Sequence, residues 1–140
     1  MFQELKDFLL QHGIKQVIVA CPNCHRVFTT YAPEFTTRMV YEVFVTQGAP
    51  ATPQAAGTIT IHDPCGVRTA TAVHAAVRQL LTDKGLQVEE MPHHGTTTIC
   101  CGEGGAVPLW APELARTWGG RIAEEAEGRP VGTILLGKLD

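Results

Sequence analysis

Residues 58–81, TITIHDPCGVRTATAVHAAVRQLL, decide the fold class. The run TITIH (58–62) is rich in β-branched residues and reads as a short strand. Asp63, Pro64 and Cys65 break it. Ala70, Val73, Ala76, Val77, Leu80 and Leu81 then recur at helical spacing and predict an amphipathic helix, which Gly85 ends. Residues 86–90 supply the next strand, so strand, helix and strand follow in order. That order predicts a βαβ unit with parallel strands.

The same alternation extends outward. Upstream, Phe2, Leu5, Phe8 and Leu9 share one helical face, and Gly13 suits the left-handed residue that closes such a helix. QVIVA (16–20) predicts a buried strand running into Cys21, and residues 23–31 a short helix or turn before Pro33. Residues 35–45 carry apolar side chains at both helical and strand spacings. Residues 47–57 (QGAPATPQAAG), with two prolines and two glycines, read as a linker-like loop. Downstream, residues 96–99 are a strand candidate, 102–105 a glycine-rich turn, 112–127 a helix weakened at Gly119 and Gly120, and 133–136 a last strand. The expectation is one α/β domain over residues 1–140, a mostly parallel sheet flanked by helices, with cysteines at the carboxyl ends of strands.

Composition narrows the function. A hydrophobic fraction of 44% and a charged fraction of 18% fit a globular chain rather than a disordered one. Eleven Lys+Arg against fourteen Asp+Glu give a net charge of -3, without a basic run, which argues against a nucleic-acid binder. No apolar stretch is long enough for a transmembrane segment, and the opening MFQEL lacks the character of an export signal. A cytoplasmic location, where thiols stay reduced, is the expectation.

The five cysteines carry the chemistry. Cys21, Cys24, Cys65, Cys100 and Cys101 lie in three segments, each expected to follow a strand. Residues beyond the carboxyl ends of parallel strands gather at one sheet edge, so five sulfurs can meet there. Helix N-termini favour the thiolate form that binds metal. Zinc would use four of the sulfurs, although the adjacent pair Cys100–Cys101 suits a single ion poorly. A metal-free thiol–disulfide pair would use Cys21 and Cys24 and leave three cysteines unexplained. CPNCH (21–25) also matches the haem c attachment pattern, but it follows a buried strand and no export signal precedes it. An iron–sulfur cluster explains all five thiolates best.

The segments VIVACPNC (17–24), ITIHDPC (59–65) and MPHHGTTTICCGEGG (91–105) resemble the cysteine-rich CCG domain family, found in one of the subunits of heterodisulfide reductase and in the glycolate oxidase iron–sulfur subunit. The likeness covers about residues 14–106. It implies an iron–sulfur electron-transfer subunit or domain of a heterodisulfide reductase-like oxidoreductase. It further implies a 4Fe-4S cluster, in some relatives of non-cubane form, on Cys65, on Cys100 and Cys101, and on Cys21 and Cys24. A flavin or ferredoxin-like redox subunit is the implied partner, since no dinucleotide fingerprint is present. The alternative is a zinc-stabilised, non-catalytic interaction module. Family copies run Cys, Cys-Cys-Gly, Cys-x-x-Cys, whereas here Cys-x-x-Cys comes first. Glu103 replaces a usual glycine, and Arg68 sits one position closer to the cysteine. The chain thus resembles the end of one copy joined to most of the next. Ligands could be completed by a second copy in a homo-oligomer, by a companion subunit, or by convergence of all five sulfurs.

Other polar residues take second place. His93 and His94 read as polar loop residues, His62 as a cap of the next turn through Asp63, and His74 as a solvated helix residue. Glu103 is a possible oxygen ligand. Trp110, Leu114 and Trp118 mark either an interface or the chain's own core.

Overall fold

A computed structural model describes residues 1–51 and 53–130, and the backbone of residues 134–135. It is an α/β structure with two small parallel sheets. The first unit is α1 (Phe2–Gln11), β1 (Gln16–Val19), α2 (Pro22–Tyr31), β2 (Thr36–Met39) and α3 (Val40–Gln47). β1 and β2 pair in parallel, with Val17 opposite Thr37. Val17 and Val19 turn inward onto Phe28, Ala32 and Phe35, with Phe2 and Leu9 closing the cluster from α1. The aromatic rings meet edge to face, Phe2 to Phe28 at 5.3 Å and Phe28 to Phe35 at 6.1 Å.

The segment with both spacings, 35–45, is both structures in turn. β2 ends at Met39 and α3 begins at Val40 with no breaker between them. The junction is made by Glu42, whose carboxylate accepts the Met39 N–H at 2.7 Å, half of a capping box.

The second unit is β3 (Gly57–His62), α4 (Thr71–Asp83), β4 (Leu86–Glu90), the short α5 (Val107–Trp110), α6 (Pro112–Ala126) and β5 (Ile134–Leu135). β3 lies between β4 and β5, parallel to both, with Ile59 opposite Val88 and Ile61 opposite Ile134. Its residues 59–62 are buried on both faces, as a central parallel strand requires. Thr133 and Leu136, expected in the last strand, lie outside the described residues. The stretch between α3 and β3 is tied down near its end, where the Ala55 N–H donates to the Lys84 carbonyl at 2.9 Å.

A second core joins the units. Met39 from β2, Val67 from the turn after β3 and Val73 from α4 are buried together, with Val19, Tyr41 and Ala70 against them. Truncating Met39, which is fully buried, is expected to lower stability by about 2–5 kcal/mol, read from the urea midpoint of the metal-free protein.

Three expectations about the fold need correction. β1 is not a buried strand: Ile18 is 51% exposed and Val17 and Val19 are only half-buried. Residues 96–99 are not a strand: Gly95–Thr97 forms a 3-10 turn, entered by Gly95 at φ +54. Side-chain bonds win over a ladder there, as Thr97 Oγ1 donates to the His94 carbonyl at 2.9 Å and Thr98 Oγ1 to the Asp63 carbonyl at 2.5 Å. His74 is not solvated but buried on α4. It stands four residues after Ala70 and three before Val77, within the apolar stripe rather than opposite it.

Candidate metal centre

Cys21 follows β1 and caps α2 in extended conformation, with Pro22 at the first helical position, where its missing N–H and fixed φ fit. Cys24 lies one turn in. Burial raises the Cys21 thiol, but hydrogen bonds from the Cys24 backbone and side chain and from the Asn23 N–H outweigh this and lower it. Cys24, donating to Cys21 and close to its charge, is raised. Both sulfurs are exposed.

Cys65 opens a 3-10 turn (Cys65–Val67) three residues after β3. Desolvation raises its thiol first, then the charge and hydrogen bond of Cys100 and the charge of Cys101, while Arg68 opposes the shift. Cys65 and the Cys100–Cys101 pair are therefore neighbours in space. That pair follows the 3-10 turn at 95–97 instead of a strand, which departs from the expected strand-end placement for the third segment. The Gly102 N–H donates to Cys100 Sγ at 3.3 Å, and Gly102 (φ +80) lies against the backbone of Ala115 on α6.

The three segments converge on Asn23. A Cβ placed on Gly66 would stand 3.1 Å from Asn23 Oδ1 and 3.3 Å from the Pro22 carbonyl, and one on Gly104 would stand 3.7 Å from Asn23 Nδ2. The residue after Cys65 and the turn after Cys101 thus both lie close to the middle of the Cys-x-x-Cys loop. Sequence patterns miss Asn23, because its neighbours come from 43 and 81 positions away.

Among the described residues no three His, Cys, Asp or Glu side chains stand close enough to hold a single metal ion. Four sulfurs about 2.3 Å from one zinc would need such a nest, so nothing in the geometry favours the zinc module. A multi-iron group brings its own bridging sulfides and meets its thiolates further apart. Paired thiols on glycine-lined turns fit that group.

The histidines divide. His93 Nδ1 lies 2.5 Å from Glu125 Oε1 and ties its loop to α6, and His94 Nδ1 bonds the Met91 carbonyl at 2.8 Å. His62 does not cap the following turn: it is buried and both ring nitrogens lack hydrogen-bond partners. Burial pushes its pKa below the usual histidine value, against the charges of Asp63 and Glu125. Since the unfolded chain takes up the proton near pH 6.5 and the folded chain only below that, His62 lowers stability as pH falls from about 6.5. Metal-free protein should therefore lose more stability between about pH 7.5 and about pH 5.5 than its His62→Leu variant. Parallel urea midpoints at both pH values would rule this out.

Glu103 is exposed and, with Cys101, borders an open cavity of about 670 Å³ against Ile122, Ala123 and Ala126 of α6. Trp118 is half-buried under the Arg121 guanidinium, 4.6 Å from its ring centre. Trp110 is 86% exposed and Leu109 83%, so Trp110 does not close the chain's own core. No helix among the described residues is long and apolar enough to cross a membrane.

Three known proteins are similar in sequence. One of the subunits of dihydromethanophenazine:CoB--CoM heterodisulfide reductase from Methanosarcina barkeri is 31% identical over 132 residues, covering 86% of this chain and 32% of that protein. One of the subunits of fumarate reductase (CoM/CoB) from Methanothermobacter marburgensis is 37% identical over 78 residues, 55% of this chain and 15% of that one. A "Probable membrane-anchored ferredoxin" of Chromohalobacter salexigens is 35% identical over 60 residues, 43% of this chain and 9% of that one. The chain thus spans a third or less of each relative's length. No solved structure matches it. Residues 59–135, more than half of the chain, match the model of the cysteine-rich domain designated CCG, and the chain belongs to that family.

Proposed function

We propose that this chain is the iron–sulfur electron-transfer part of a heterodisulfide reductase-like oxidoreductase working in a reduced, cytoplasmic compartment. Cys21, Cys24, Cys65, Cys100 and Cys101 would hold a four-iron cluster, of cubane or non-cubane form. The observation that supports this best is the closeness of Gly66 and Gly104 to Asn23, which sets the Cys65 and Cys100–Cys101 segments near the Cys-x-x-Cys loop. Relatives that are reductase subunits and a ferredoxin support it. When bound, the group supplies one-electron storage and transfer. The protein's part is to present thiolates, and the hydrogen bonds to Cys21 at the start of α2 lower its thiol below the ordinary value. A flavin or ferredoxin-like subunit would deliver electrons. The exposed Leu109, Trp110 and Leu114 lie seven to twelve positions beyond Gly102 and offer such a subunit an apolar surface.

A second reading has one observation behind it. Cys21 and Cys24 form an exposed pair of free thiols at a helix N-terminus, Cys24 donating to Cys21, the placement of a metal-free redox dithiol. Anaerobic purification separates the two. Iron with acid-labile sulfide, and a brown colour, is the expected result; metal-free protein that rejects iron and sulfide on reconstitution, yet has a titratable dithiol, would replace it with the second reading.

A further inference from the structure

Asp63 is 1% exposed and lies two residues before Cys65. Its carboxylate accepts Arg78 Nη1 at 3.0 Å, Arg78 Nη2 at 2.7 Å and the Gly95 N–H at 2.6 Å. Its backbone carbonyl accepts the hydroxyl of Thr98, which is 1% exposed and stands two residues before Cys100. Arg78 on α4 is in turn gripped by Glu90 at the end of β4, through Nε at 2.6 Å and Nη2 at 2.7 Å. One buried residue thus receives two bonds from the segment that leads into the adjacent cysteines, Gly95 N–H on its carboxylate and the Thr98 hydroxyl on its carbonyl, and its own segment leads into Cys65.

We propose that Asp63, fixed by Arg78 and joined to Thr98, is a positioning residue that sets the separation between Cys65 and the Cys100–Cys101 pair. The significance of that separation for metal binding rests on the function proposed above; the separation itself does not. The symmetry of the anchor points is the main support. A bond between residues 63 and 98 leaves one residue on each side, Pro64 and Ile99, before a cysteine, too short a span for either thiol to wander far. Rigidity comes from the paired charges. Arg78 supplies two parallel donors to Asp63, a geometry that Lys cannot reproduce. A purely structural ion pair would have no need of the Thr98 bond, and that bond is the place to test.

The test uses the full chain in two forms. In metal-free protein with Cys21, Cys24 and Cys101 replaced by Ala, diamide takes two electrons and two protons from Cys65 and Cys100 and joins them, at a rate that reports their separation. Thr98→Val should slow this joining about five- to tenfold, the weight of one ordinary hydrogen bond, and Thr98→Ser should restore it. Phe35→Leu, in the other core, weakens the fold without touching the anchor and should leave the rate unchanged. In iron-reconstituted protein with all five cysteines, Thr98→Val should alter the visible circular dichroism and speed iron loss to a chelator, with Ser again restoring both. Equal joining rates for Val, Ser and parent chains, or equal slowing by Phe35→Leu, would overturn the positioning role. If the joining rates behave as expected but no variant takes up iron, the positioning role stands and the proposed function falls.

Discussion

Replacing Cys100 or Cys101 by serine is expected to strip the protein of most of its iron or convert what remains to a smaller species. These sulfurs are half-buried next to Cys65, and Cys100 Sγ also accepts the Gly102 N–H. Loss of outer partners alone weakens metal affinity about 10–100-fold, so loss of a thiolate should do at least as much. His93→Ala is the contrast, because its ring is committed to Glu125 and exposed. It should keep nearly all the iron. Iron and sulfide content per chain, with far-ultraviolet circular dichroism for the fold, checks both halves. Equal iron loss in all three variants would mean that the substitutions act by general destabilisation.

The second large effect is expected at Gly102. A Cβ there would stand 2.7 Å from the Ala115 carbonyl oxygen and 2.8 Å from its Cα, both backbone atoms that cannot swing aside. The residue also has φ +80, where side chains are strained. Backbone strain and overpacking together predict that Gly102→Ala loses about 2–5 kcal/mol. Gly105→Ala separates the causes. It has φ +68 but nothing within 4 Å of its Cβ position, so it should lose only about 1 kcal/mol. Urea midpoints of the metal-free variants decide this, and equal losses would remove the steric role of α6. Because Gly102 seats the adjacent cysteines against that helix, its Ala variant should also bind iron poorly.

What the sequence discloses depends on the range of the interactions involved. β3 and α4 are legible because a β-branched run and a 3.6-residue stripe are local signals. The fate of residues 96–99 is not, since it is settled by the Thr98 bond to Asp63, 35 positions away. Residues 35–45 stay ambiguous because strand and helix abut at Met39–Val40 without Gly or Pro. At the candidate centre the cysteines stand out by type and spacing, whereas Asn23, Arg78 and Thr98 look ordinary. Their importance lies wholly in partners from other segments. Arg78 offered a faint signal, as a charge directly after Val77 on the edge of the apolar stripe, and His74 a stronger one.

If all five cysteines serve one multi-iron centre, as proposed, its iron must meet thiolates from all three segments. Iron K-edge X-ray absorption on anaerobically reconstituted protein tests it most directly. A sulfur-dominated first shell with iron neighbours beyond it is expected, both disturbed by removing a thiol from any of the three segments. A shell without iron neighbours, or one indifferent to Cys21 and Cys24, would contradict it.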